Sequence, residues 1–234
     1  TVFGFLLGGQ SLVVGGSDGS LNIFFLLKNE GGQTKDGQSL QLTRSFDLLP
    51  SPAVRFEPAI TGKNFAVADA KGNIRVYHGT SQKLLVQFPS DGKTQDYKYI
   101  LLSPRMDGLL ALQGDGRSRL LEFSVPHPET TVRTLFRKVW YEGYPEPTYT
   151  WQSSAMSEDY EPKFSLIPLI FGTIKAAFYS LLFAIPIAIL GAIYTSEFVH
   201  LKVRAIVKPT MEMMASLPSV VLGFVAALVM APVV

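Results

Sequence analysis

Few residues in this chain stand at spacings that support side-chain chemistry. His78 and His127 are isolated, with no second histidine or cysteine at metal-ligand spacing, so each reads as a loop or surface residue and not as a ligand. Asp18, Asp69 and Asp115 recur beside tight turns. A short carboxylate there bonds the backbone of its own turn, a use favoured over acid–base work. Gly15-Gly-Ser-Asp-Gly19 lies inside a hairpin pattern and not between a strand and a helix, so it is no phosphate-cradling loop. No catalytic residue, metal or cofactor is expected, and the chain is not expected to be an enzyme. Two features remain. Lys175 sits about a dozen residues into a hydrophobic segment, where a charge is costly unless it snorkels to headgroups or faces a water-lined path that attracts an oxyanion. In Ser216-Leu-Pro-Ser219, Pro218 frees a backbone carbonyl and Ser219 offers a hydroxyl at the start of an apolar run, which suits either a gate lining or a plain kink.

The segments that carry these residues are defined by their solvent. Ala176 to Ser196 is an uncharged run of 21 residues, and as a helix rising ~1.5 Å per residue it covers the ~30 Å core of a bilayer. A second uncharged run extends from Met213 to Val234. Pro186, Gly191, Pro218 and Gly223 fit membrane helices whose neighbours satisfy freed backbone groups, which points to a packed bundle. The connector from Glu197 to Glu212 holds Lys202, Arg204, Lys208 and Glu212, whereas Tyr149 to Lys163 offers only Lys163 among its acids. The excess of basic residues makes the connector cytoplasmic and places residues 1–163 outside the cytoplasm. The absence of cysteine suits an oxidising compartment.

Three stretches carry a resemblance. Ser165-Leu-Ile-Pro-Leu-Ile-Phe-Gly-Thr173, Ala184-Ile-Pro-Ile-Ala-Ile-Leu-Gly-Ala-Ile-Tyr-Thr-Ser-Glu197 and Lys208-Pro-Thr-Met-Glu-Met-Met-Ala-Ser-Leu-Pro-Ser-Val-Val-Leu-Gly223 occur in order over about 70 residues. They resemble the permease subunits of phosphate-specific ABC importers. Trp140-Tyr-Glu-Gly-Tyr-Pro-Glu-Pro147 is similar to the lead-in to the permease core in members with a large extracytoplasmic insert. The resemblance implies a multi-pass subunit of a bacterial inner membrane. It implies a second permease subunit, cytoplasmic ATPase subunits and a periplasmic phosphate-binding protein as partners. It also implies that the ATPase-docking loop of the family lies downstream of these two spans, so residues 1–234 alone are not expected to transport. A membrane-tethered propeller-type sensor or scaffold that binds a periplasmic partner is the alternative function.

The front of the chain has a different composition, mixed and glycine-rich. The net charge of +2, with scattered basic residues, argues against nucleic acid as a partner. Leu12 to Phe24 aligns with Phe65 to Tyr77 at an offset of 53, and a third copy, Leu110 to Leu121, follows about 44 further on. Each copy is a short apolar strand, a tight turn and an alternating strand, and the period is that of propeller blades. Three blades do not close a ring, so either further blades precede Thr1 or the domain is an open β structure with repeated hairpins. The loops 29–38 and 90–97 read as surface connections.

Between the two compositions, Val132, Leu135, Phe136, Val139 and Trp140 recur at helical spacing from Thr130 to Tyr141, with Arg133, Arg137 and Lys138 on other faces. This predicts an amphipathic helix that either lies in the headgroup layer of the bilayer, with Trp140 as an anchor, or packs on the soluble domain. Residues 144–160 read as a tether. The expected architecture is a propeller-like β domain with incomplete WD-type blades over 1–128, an amphipathic helix and tether over 129–163, and the first two spans of an α-helical permease core over 164–234.

Overall fold

The computed structural model of the chain describes residues 1–28, 37–90, 96–154 and 161–230. The expected loops 29–38 and 90–97, the last part of the tether and the end of the second apolar run lie largely outside the described residues. The chain divides into two units, Thr1–Phe171 and Gly172–Val234.

The first unit is built from antiparallel meanders. One sheet has the order β1 (Val2–Phe5), β2 (Ser11–Gly15), β3 (Leu21–Lys28), β4 (Gln38–Ser45), and a second repeats it with β5 (Ala53–Pro58), β6 (Asn64–Asp69), β7 (Ile74–His78), β8 (Lys83–Phe88). A third sheet has β9 (Tyr97–Leu102), β10 (Gly108–Gln113) and β11 (Ser118–Glu122), with β10 central. The three sequence copies are the pairs β2–β3, β6–β7 and β10–β11, so each repeat marks the hairpin inside a blade-like sheet. Sequence identity between copies is greatest where geometry is strictest. Gly19, Gly72 and Gly116 occupy the same turn position at φ of 85°, 83° and 85°, a left-handed conformation that a β-carbon disfavours.

Alternation then decides how the sheets stack. Val13, Leu21, Ile23 and Phe25 leave the first sheet on one side and meet Phe65, Val67 and Tyr77 of the second. Phe46 joins this layer, 5.1 Å from the Tyr77 ring and 5.6 Å from Phe65 in edge-on contacts that suit the ring quadrupoles. The opposite side of the second sheet presents Ala66, Ala68, Ile74 and Val76 to Tyr97, Ile100, Leu109 and Ala111 of the third. The middle sheet is therefore apolar on both faces, and β6 is buried along its whole length. Gly4 lets β1 approach the second sheet closely, since a β-carbon there would lie 2.5 Å from the Phe56 ring.

The helix expected over 130–141 is confined to α1 (Val132–Phe136). Thr131 caps it through a reciprocal bond with Thr134, and Arg137 is already extended at φ −114°, ψ 160°. Tertiary pairing overrides the helical spacing: Val139 bridges Thr148, and β12 (Trp151–Gln152) pairs with β13 (Lys163–Phe164). The described part of the expected tether is thus folded into the first unit.

α2 (Ile167–Ile193) starts nine residues before the expected span and ends in a π-helical turn, Tyr194–Phe198. Together they make the one helix, among the described residues, that is long and apolar enough to cross a membrane, and none of its residues is buried. The expected polar connector is itself helical, as α3 (Leu201–Ala215). The second apolar run is not continuous: the chain breaks at Ser216–Pro218 and resumes as α4 (Ser219–Val225), followed by a π-helical stretch, Ala226–Met230, with a bend of 89°. Pro218 causes the break, because it has no amide hydrogen and disfavours a helical Leu217 before it.

Asp69 tests the turn reading. Its carboxylate accepts from the amides of Lys71 (3.0 Å) and Asn73 (2.9 Å) and from the Asn73 side chain (2.8 Å), all in a buried position. Asp69→Ala strands these donors and should lower unfolding stability by about 3 kcal/mol. Asp18 makes the same kind of turn contact to Ser20 in full solvent, and Asp18→Ala should have a far smaller effect in the same denaturation experiment.

Candidate functional site

The densest polar chemistry of the first unit lies where its β-sheets meet the segment that leads into α2. Lys63 ends the turn before β6 and is only 3% exposed, so its ammonium needs partners. It donates to the Leu7 carbonyl and, at 2.5 Å, to Glu142 Oε2. The other Glu142 oxygen accepts from the Ser11 hydroxyl on β2. Arg44 faces inward because β4 pairs it with buried Ile23; its guanidinium donates to the Trp140 carbonyl and stands 4.9 Å over the Phe25 ring. Trp140 fills the adjacent space, 6.3 Å from Phe25, and donates its indole hydrogen to the Tyr144 carbonyl at 2.8 Å. Residues of both β-sheets thus hold 140–144 through buried, charge-assisted hydrogen bonds.

Glu161 enters the same cluster from the residues just before β13. Burial pushes its carboxyl up to about 7; Arg44 opposes that shift, Glu142 adds to it, and Lys63 and Lys163 oppose it more weakly. One of its oxygens, and the hydroxyl of buried Ser165, have no hydrogen-bond partner among the described residues. The protonated carboxyl is the form that such a site favours near neutrality. His78 feels the same guanidinium. Burial, then Arg44 and Lys83, lower it to about 3, and its Nδ1 bonds the Ser81 hydroxyl at 2.9 Å. It is a neutral structural residue. His127 is exposed, 3.4 Å from Glu129.

The residues singled out from the sequence do not converge on one place. Arg133 donates to the Gln82 side chain from α1, Arg137 caps that helix, and Lys138 lies 6.0 Å from the Tyr149 ring. Val132 and Phe136 are exposed beside them, and Trp140 is turned to the core. In the second unit Lys175 stands 5.9 Å over the Tyr179 ring, one turn on along α2. Ser216 caps α3 and donates its hydroxyl to the Met213 carbonyl at 2.7 Å; Pro218 and Ser219 open α4. Lys202, Arg204, Lys208 and Glu212 lie along α3, where Arg204 donates to the Thr195 carbonyl at 3.0 Å and the Lys202 amide to the His200 ring at 3.3 Å. Arg44, Lys63, Glu142 and Glu161 had no sequence signal, because the four lie on separate segments up to 117 positions apart.

Known proteins give a partial match. No protein-family profile matches the chain. It is 35% identical over 74 residues to the "Probable ABC transporter permease protein YqgH" of Bacillus subtilis. That match spans 32% of this chain and 24% of the length of the permease. Solved structures similar to the chain include the C-terminal WD40 domain of Sif2 (8% identity, 47% of this chain, 30% of that one, TM-score 0.38). Others are the computationally designed Ika4 protein (17%, 53%, 66%, 0.38) and Sqt1 from Chaetomium thermophilum (15%, 50%, 29%, 0.41). The match to the permease makes a membrane location the natural one for the apolar helix.

Glu161 gives the site a pH signature. Its folded pKa is raised from 4.5 to about 7, so the folded chain holds a proton that the unfolded chain releases, and stability is lost as pH rises from about 4.5 through 7. The difference amounts to about 3 kcal/mol. His78, lowered from 6.5, works in the opposite sense and costs stability as pH falls from 6.5 toward 3. Glu161→Gln should therefore flatten the decline in melting temperature between pH 5 and pH 8, and should leave the acid limb set by His78 in place.

Proposed function

We propose that this chain is part of the transmembrane subunit of an ATP-driven phosphate importer, with the β unit on the extracytoplasmic side of a bacterial inner membrane. The observation that carries the reading is the helix Ile167–Phe198, apolar, unburied throughout and long enough for a bilayer, in a chain with a 74-residue likeness to an ABC transporter permease. A soluble protein has no use for such a surface, and lipid or neighbouring helices must cover it. The broken pair α3 and α4 is the second membrane segment of this reading. In this reading the 89° bend at Ser216–Pro218 is a break in the second segment, and Ser216, Pro218 and Ser219 are the residues assigned to an oxyanion path. Lys175 supplies positive charge to the same path from α2. Lys202, Arg204, Lys208 and Glu212 mark the cytoplasmic end, and Arg133, Arg137 and Lys138, with exposed Val132 and Phe136, meet the headgroups outside.

In this role the chain acts with a second permease subunit, cytoplasmic ATPase subunits and a periplasmic phosphate-binding protein. Phosphate is assigned from the three family motifs, which distinguish it from other oxyanions only by likeness. Uptake of radiolabelled phosphate in cells that carry the full-length protein and its partner subunits tests the reading. Transport should be ATP-dependent and fall at least about tenfold in Pro218→Ala if the broken helix lines the path. Loss of residues 1–128 should leave measurable transport. Intact protein that moves neither phosphate nor a related oxyanion would contradict the assignment, and a sensor or scaffold would replace it.

A further inference from the structure

The repeat relates the faces of the three sheets residue by residue. At the offset of 53, Phe65, Val67 and Tyr77, which the second sheet buries against the first, correspond to Leu12, Val14 and Phe24 of the first sheet. Phe56, packed in the same interface, corresponds to Phe3. Those first-sheet residues face away from the second sheet and are only half-buried or exposed. Phe3 is 74% exposed and Phe5 54%, and Leu26, Leu40 and Leu42 continue the surface across the sheet, where Phe5, Leu12, Phe24 and Leu42 form one cross-strand row.

The other end of the stack mirrors this. At the offset of 44, Ala66, Ala68 and Val76, all fully buried against the third sheet, correspond to Leu110, Leu112 and Leu120. Leu120 is 67% exposed, and Leu101, Leu110 and Leu120 again form a cross-strand row. A cleft of about 710 Å³ opens along it, lined by Leu101, Leu110, Leu120 and Phe123. Repeat arrays that end in solvent carry a polar outer face on the terminal repeat, and neither outer face here is polar. Each is instead the counterpart of a face that the same molecule buries against a blade.

We propose that the outer faces of the first and third sheets are blade–blade interfaces, each covered in the full-length protein by a further four-stranded antiparallel blade of the same polypeptide. The covering blade on the first sheet presents small and branched aliphatic residues, as Val13, Leu21 and Ile23 do to Phe65 and Tyr77. The one on the third sheet presents bulkier groups, as Tyr97, Ile100 and Leu109 do to Ala66 and Val76. Intrachain blades are favoured over a second copy because the two interfaces already present join consecutive segments of one chain, which places each blade at high effective concentration for its neighbour. The inference is independent of the transport reading.

Cysteine accessibility in the detergent-solubilised full-length protein tests it. Phe5→Cys and Leu120→Cys, each as the only cysteine, are reacted with a maleimide alongside Ser17→Cys at an exposed turn. Both face positions should react at least about tenfold more slowly than the turn, at a rate independent of protein concentration. Leu42→Cys, on the same face as Phe5 but on the outermost strand, repeats the measurement if Phe5→Cys fails to fold. Labelling at the rate of the turn overturns the proposal. Protection that is lost on dilution, or a disulfide between copies in a mixture of Phe5→Cys and Leu120→Cys proteins, also overturns it, in favour of a ring made by a second copy.

Discussion

A lysine that is almost wholly buried cannot be left without a counter-charge, and the arrangement of the first unit follows from that constraint at Lys63. Its place just before β6 is set by the middle sheet, whose two apolar faces leave the ammonium little room to reach water. Glu142 supplies the charge, the Leu7 carbonyl and the Ser11 hydroxyl complete the hydrogen bonds, and the 140–144 segment is thereby fixed on the first two sheets. Arg44 repeats the logic at the Trp140 carbonyl. Buried pairs of this kind contribute little net stability over an apolar replacement, but losing one partner is costly, so they specify one docking geometry. The segment so docked is enclosed by the Val139–Thr148 bridge and followed by the β12–β13 pair, which precedes α2.

The acid–base balance of this cluster follows from its charges. Arg44, Lys63 and Glu142 meet there, and Glu161 is the group whose ionisation adds negative charge to a site with little solvent. Arg44 links this group to His78, which the same cation helps to keep neutral. One guanidinium therefore shapes two titrations whose effects on stability have opposite sense.

Much of the β architecture was legible in the residues, because strict alternation and a glycine held at positive φ leave a periodic trace. The pairs β2–β3, β6–β7 and β10–β11 fall on the three sequence copies. The flanking strands β1, β4, β5, β8 and β9 left less trace, since edge and central strands differ more in burial than in residue type. The helical spacing over 130–141 extends beyond the helix itself, Val132–Phe136. Val139 and Trp140 gain more from the β bridge and the core than from another turn, and the Leu166 amide bonds the Leu135 carbonyl at 2.8 Å where that turn would continue. The first apolar run is legible as a helix long enough for a bilayer, yet the length of α3 is not, because Lys202, Arg204 and Lys208 read as a loop until the backbone is seen to coil through them. The charged cluster was illegible for a simpler reason: its members meet only after the sheets have stacked.

The claim that the Lys63–Glu142 pair fixes the lead-in segment is tested most directly by a double-mutant cycle. Unfolding of Lys63→Met, Glu142→Gln and the double variant would be compared with the parent protein by denaturant titration at pH 7. Each single variant should lose on the order of 3 kcal/mol, and the double variant should recover about 2 kcal/mol relative to their sum, because it leaves no buried charge unpaired. Strictly additive losses would contradict the account and show that the two residues act independently of each other.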